Sequence, residues 1–151
     1  MGFSTDYENT NDYGIIAEGE YEVIILEMKE HTTQRGAVGM NMKMIIRNDV
    51  EQDSKNRYLF HTLWKRKMPT PADMQVQGYG FNQIMNLAKS VGVPSGKSYE
   101  TVYALCNDMT NKCIRVTVEH EEYNGELREH IKYMNPTKYA ENHHAFKQAN
   151  Q

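Results

Sequence analysis

The chain has little of what the chemistry of small proteins usually needs. Its 151 residues include two cysteines, Cys106 and Cys113. Their seven-residue separation is not a zinc spacing, and no second pair completes a ligand set. Two buried or half-buried free thiols in a reducing compartment are the expectation. No run reaches the ~18 apolar residues of a membrane span. The first residues, MGFSTDYENTND, are polar and acidic, unlike a secretory signal, and Asp6 breaks the myristoylation pattern. A cytoplasmic protein without membrane attachment is expected.

An excess of positive charge is also missing. The net charge is -3, so a polyanion partner would have to be met by a local patch rather than by the whole surface. The catalytic patterns are missing: no H-E-x-x-H, no G-x-S-x-G, and no Walker-type or dinucleotide glycine motif. His31, His61, His120 and His130 are scattered, and His143-His144 lies near the end. Asp49, Glu51 and Asp53 alternate like cation ligands, but their loop lacks the glycine and closing glutamate of an EF-hand. The reading is therefore a protein with no catalytic residues, no metal and no cofactor.

What is present is β-structure with a helical interruption. The length fits one domain. Residues 1–18 form an acidic arm whose last few residues dock. Glu18-Gly19-Glu20 reads as a turn and Tyr21 to Lys29 as the first strand. Its middle, Val23 to Leu26, is apolar on both faces, as a strand shared between two sheets of a small barrel must be. His31 to Gly39 is a polar loop with Arg35 near its tip. Met40, Met42, Met44 and Ile46 alternate with Asn41, Lys43, Ile45 and Arg47, which predicts a second strand carrying Lys43 and Arg47 on its outer face. A polar connection leads to a third strand, Arg57 to Trp64, dense in aromatic and branched residues.

Residues 66 to 75 contain Pro69 and Pro71 and read as a connector. From about Gln77, apolar residues recur at three and four, from Phe81 to Val91, and Gly92 supplies the stop of an amphipathic helix. A second helix is predicted from Glu100 to Met109 with Ser98 as its cap. Asn124-Gly125 then marks a two-residue hairpin turn. That turn pairs Glu121 with Arg128, Glu119 with His130, Val118 with Ile131, Thr117 with Lys132 and Val116 with Tyr133. A polar tail, 137–151, carries a short helix around Tyr139 to Phe146. The fold class is mainly β with a helical insert at about 77–109. Strand, strand, strand, helix or two, strand, strand is the order of an OB-fold, a five-stranded partly open barrel, here over 19–136.

Cations and aromatics on neighbouring strands are what a single-stranded nucleic-acid platform needs, because rings stack on bases while cations meet phosphates. The candidate binding residues are Arg35, Lys43, Arg47, Arg57, Tyr58, Phe60, Trp64, Lys65 and Arg66. Arg115 and Lys132, the outward cations of the hairpin, join them. One question stays open. Tyr58, Phe60 and Trp64 share one parity of the third strand; Leu59, His61 and Leu63 share the other. If the leucines face inward, the rings form a stacking ladder; if the rings face inward, they are core.

Five short stretches look familiar in combination: Glu18-Gly19-Glu20-Tyr21-Glu22-Val23, Ile46-Arg47-Asn48-Asp49-Val50, Asn56-Arg57-Tyr58-Leu59-Phe60 running to Leu63-Trp64, Leu87-Ala88-Lys89-Ser90-Val91-Gly92-Val93-Pro94, and Glu122-Tyr123-Asn124-Gly125-Glu126. Across roughly residues 14 to 137 the chain resembles a family of tailed-phage and prophage proteins, long catalogued as a domain of unknown function. Its members are commonly assigned as single-stranded DNA-binding proteins of replication and recombination modules. The resemblance implies an OB-like fold and stoichiometric, non-sequence-specific binding of single-stranded DNA in a bacterial host cytoplasm. Phage recombinase or replication proteins are the implied partners, and the oligomeric state, homo-oligomer included, is left open. The alternative is a protein-interaction adaptor of the same machinery that does not bind DNA itself.

Overall fold

The computed structural model describes residues 14–146. Five antiparallel strands form one sheet: β1 (Gly19–Thr32), β2 (Val38–Ile46), β3 (Tyr58–Trp64), β4 (Cys113–Tyr123) and β5 (Glu126–Pro136). Between β3 and β4 lie α1 (Pro71–Met74), α2 (Phe81–Val91) and α3 (Val102–Met109). The sheet order is β3-β2-β1-β4-β5. This is a mainly β fold with a helical insert, and its strand order is that of an OB-type barrel left open between β3 and β5.

β1 is the strand the rest depends on. Its first half pairs with β4 and its second half with β2. A bulge between Ile25 and Glu27 divides the two regimes. Val23 and Ile25 point into the core; after the extra residue, Glu27 and Lys29 point outward although they continue the same odd numbering. The core collects Met40, Met42, Met44 and Ile46 of β2, Leu59 and Leu63 of β3, and Ile114, Val116 and Val118 of β4. Ile84 and Leu87 of α2 and Leu105 and Met109 of α3 add the helical layer.

At the open seam between β3 and β5, His61 faces inward but is not sealed. Burial, with the nearby His130 of β5 adding to it, pushes its imidazole down to about 4. A neutral ring at an unclosed seam is how a polar residue shares the parity of Leu59 and Leu63.

Several sequence expectations need correction. The connector holds α1: Thr70 caps it reciprocally with Asp73, and Pro71 occupies the first turn, where a missing N–H is harmless. α2 starts at Phe81 because Gln77 and Gly78 take positive φ in a turn; its end, Gly92 at φ 95°, is as expected. α3 starts at Val102 with Thr101, not Ser98, as cap. The hairpin turns through Asn124 and Gly125, both at positive φ, and Glu121, Glu119 and Val118 meet the predicted partners. A bulge then shifts the register, so Thr117 faces Tyr133 and Val116 faces Met134. The predicted pairs Thr117–Lys132 and Val116–Tyr133 do not form. The shift buries Met134 and leaves Tyr133 exposed, which suits an apolar core better than a phenol. The end of the acidic arm docks as expected: Ile16 is buried, its N–H donates to Glu129, and its carbonyl meets His120. Arm residues 1–13 and tail residues 147–151 fall outside the described residues.

The short helix expected around Tyr139 to Phe146 is absent; residues 137–146 form an extended strap. Its anchor is Arg47, the second major correction. Parity places Arg47 outward, yet it is 0% exposed. Its Nε and Nη2 donate to the Asp49 carboxylate at 2.9 and 2.7 Å. Nη1 donates to the Tyr139 carbonyl at 2.8 Å and Nη2 to that of Glu141 at 2.7 Å. A buried guanidinium requires such acceptors, and the strap supplies them. The Asp49 and Asn48 side chains complete the latch by accepting the His143 and Ala145 N–H groups. Arg47 is therefore a structural cation rather than a phosphate contact.

The hydrogen bonds from Arg47 hold the Asp49 carboxyl down to about 2. A depressed acid contributes stability that is full above about pH 4 and lost as the pH falls through about 2. Asp49→Asn should therefore lose about 3–5 kcal/mol in urea unfolding at neutral pH and show a flatter acid limb than the wild type. Equal stability of the two proteins at neutral pH would contradict this account of the latch.

Candidate nucleic-acid interface

The open question of β3 is resolved by its burial pattern. Leu59 and Leu63 are 1% and 0% exposed, whereas Tyr58, Phe60 and Trp64 are 48%, 65% and 45% exposed. The leucines fill the core and the three rings stand on the outer face.

The registers arrange that face in rows across three strands. Glu27, Lys43 and Phe60 form one row; Lys29, Asn41 and Thr62 the next; His31, Gly39 and Trp64 the third. Beyond Phe60, Tyr58 sits opposite Ile45. Lys43 extends its Nζ to 4.7 Å from the Tyr58 ring centre, a cation–π contact that holds the ammonium beside the rings. Trp64 lies over Gly39, where a β-carbon would come within 2.9 Å of the indole and 2.7 Å of Thr62. The absence of that carbon leaves room for the indole, whose ring centre stands 6.0 Å from that of His31.

Two depressions follow the row of rings. One, of about 690 Å³, lies among Arg35, Gly36, Val38, Trp64 and the Lys65-Arg66-Lys67 triplet. The other, of about 330 Å³, lies among Lys29, Asn41, Lys43 and Phe60. Arg35 is presented by a tight turn: the Thr33 N–H donates to the Ala37 carbonyl at 2.8 Å, and Gly36 takes φ 88°. The triplet is not uniform. Lys65 is drawn under the groove, 3.9 Å from Glu30 and over the Tyr79 ring. Burial would raise the Glu30 carboxyl, but hydrogen bonds from the Tyr79 and Tyr103 hydroxyls, with Lys65 nearby, bring it below its ordinary value. Arg66 leans to 3.8 Å from Asp73. Lys67 is exposed and has no ion-pair partner among the described residues.

The fold thus brings Arg35, Lys43, Tyr58, Phe60 and Trp64 to one face with Lys65 and Arg66 at its rim. Arg57 stands at the head of β3 and donates to the Gly14 carbonyl. Three predicted contacts lie elsewhere. Arg47 is the strap anchor. Arg115 is tied to Glu20, which also meets Lys138 of the strap. Lys132, on the hairpin bulge, pairs with Glu119 at 3.3 Å. Sequence reading missed Lys29, His31, Gly39, Asn41 and Thr62. Only the β1 bulge turns the first two outward, and no local pattern announces it. Glu27, in the Lys43 row, is the one acid on this part of the face and blunts its potential.

No cluster of three or more metal-ligating side chains occurs among the described residues. The Cys106 thiol is buried, which pushes it up to about 11, and Cys113 is raised by burial too. Both are free and unreactive in character. No helix among the described residues is long and apolar enough to cross a membrane.

The chain matches the family described as "Protein of unknown function (DUF669)" over residues 3–145 and belongs to it. The matched span takes in the arm and the strap as well as the barrel. No curated protein matches the chain.

Gly39→Ala should leave the fold intact, since the clash involves the ends of the Thr62 and Trp64 side chains. It should displace the indole, seen as a shifted emission maximum of the single tryptophan. An unchanged spectrum would show that Trp64 does not rest on Gly39.

Proposed function

We propose that this protein binds single-stranded DNA without sequence specificity, stoichiometrically and without catalysis. The replication or recombination module of a phage or prophage in a bacterial cytoplasm is the setting we infer. The observation that carries the reading is the outer face of β3. Three exposed rings there interleave with the cations Lys29, Lys43 and Arg35, while the leucines of opposite parity fill the core.

Stacking on aromatic faces is tolerant of sequence, since every base has a π-face, and it selects against duplex DNA, where those faces are covered. Phosphate neutralisation by the surrounding cations adds affinity through counterion release. A net charge of -3 fits a site whose positive potential is local. The acidic hairpin, with Glu119, Glu121, Glu122 and Glu126, would repel DNA from the other end of the sheet and confine it to β2 and β3.

Fluorescence anisotropy with a labelled oligo-dT of about 30 nucleotides should show binding that weakens steeply with salt. A duplex of equal length should bind far less. Trp64→Ala and Phe60→Ala should each cost about 1–3 kcal/mol of binding, and Lys43→Ala should reduce the salt slope by about one phosphate contact. Absence of binding to the single strand at low salt, or equal affinity for duplex, would overturn the proposal in favour of an adaptor acting through protein contacts.

A further inference from the structure

Three cations follow Trp64 in the sequence, but the fold does not present them equally. Alternation turns Lys65 away from the side that carries the Trp64 ring. Its main chain bridges to Tyr79. Its stem runs past Gly78, where a β-carbon would stand 3.6 Å from Lys65 Cδ. The ammonium ends 5.5 Å from the centre of the Tyr79 ring and 3.9 Å from the Glu30 carboxylate, and both charged side chains are half-buried. Packing, a ring face and an acid together draw this cation toward the helical insert.

Glu30 is itself held by other groups. The Tyr79 and Tyr103 hydroxyls donate to its Oε2 at 2.6 and 2.8 Å, so the carboxylate keeps its place whatever Lys65 does. Arg66 faces the same arrangement. Its Nε lies 3.8 Å from Asp73, whose carboxylate accepts the Thr70 and Phe81 N–H groups at 2.9 Å each. Moving Lys65 to a phosphate would form one ion pair and break another, leaving a half-buried carboxylate uncompensated. A cation in that position adds little to counterion release.

We propose that Glu30 withholds Lys65 from bound DNA and so sets the charge that this rim of the platform presents. The inference rests on the single-strand reading above and adds a fixed carboxylate that limits its affinity. The Lys65–Glu30 pair is electrically silent toward the strand. Lys67, exposed and without an ion-pair partner among the described residues, is the member of the triplet left to meet a phosphate. Glu30 is a positioning residue, since it acts through Lys65.

The test measures oligo-dT affinity across a salt series for the wild type, Glu30→Gln and the double variant Glu30→Gln/Lys65→Met. Glutamine keeps an oxygen for both hydroxyls, and methionine keeps the packing of the lysine stem. Glu30→Gln should steepen the log–log salt slope by about 0.7, one single-strand phosphate contact, and tighten binding about fivefold at about 0.1 M salt. The double variant should return to the wild-type slope and affinity. An unchanged slope in Glu30→Gln, a gain that persists without Lys65, or a double variant weaker than the wild type by a full contact overturns the inference while leaving single-strand binding in place. Limited acetylation read by mass spectrometry checks the same point without a substitution. Oligo-dT should protect Lys67 and leave the Lys65 rate unchanged; protection of Lys65 overturns the inference. A wild type that binds no single strand overturns the single-strand reading and this one with it.

Discussion

Alternation along β3 couples the inside of this protein to its outer face. Leu59 and Leu63 are fully packed in the core, and neighbouring strand residues must point to opposite sides. Tyr58, Phe60 and Trp64 are therefore outside by geometry. A one-residue slip would bury the rings and expose the leucines, losing core packing and the outer face together. The neighbouring strands make this possible. β2 supplies inward methionines that accommodate the leucines, and outward Gly39 and Lys43 that seat the indole and hold a cation beside Tyr58.

Arg47 sets the limit of that face. Ile24, Ile45 and Val50 are buried yet stand apart from the main core, in the region where Arg47 holds the strap. The strap also reaches β1, where Thr137 donates to the buried Glu22 and the Lys138 N–H joins it. The outer surface is thus divided. One part is closed by the strap and its buried charges; the other, from Tyr58 to Trp64, stays open. Membership of a family whose match runs through residue 145 includes this strap in the shared sequence.

Much of the fold was legible. Period-two patterns located the strands, period 3.6 located α2, and Asn124-Gly125 fixed the hairpin turn. What escaped depends on contacts that local patterns do not encode. Parity put Arg47 outward because nothing near it reveals a strap some ninety residues later. The β4–β5 bulge that seats Met134 was hidden because Tyr133 is also apolar enough to be placed inside. Pro71 suits a connector and the first turn of a helix alike, so its presence alone does not announce α1. In the candidate site, the β3 parity was undecidable while His61 opposed the leucines. Its resolution needs the open seam with β5, a feature of tertiary closure. Lys29 and Asn41 became visible as site residues only through the β1 bulge and the β1–β2 register.

The central claim is that single-stranded DNA lies across the open part of the outer face. Photocrosslinking with an oligo-dT carrying 5-iodouracil, followed by identification of the linked residues, tests it most directly. The account predicts adducts at Tyr58, Phe60 and Trp64 and none on the strap. Adducts confined to the β4–β5 hairpin or to residues 137–146 would contradict it.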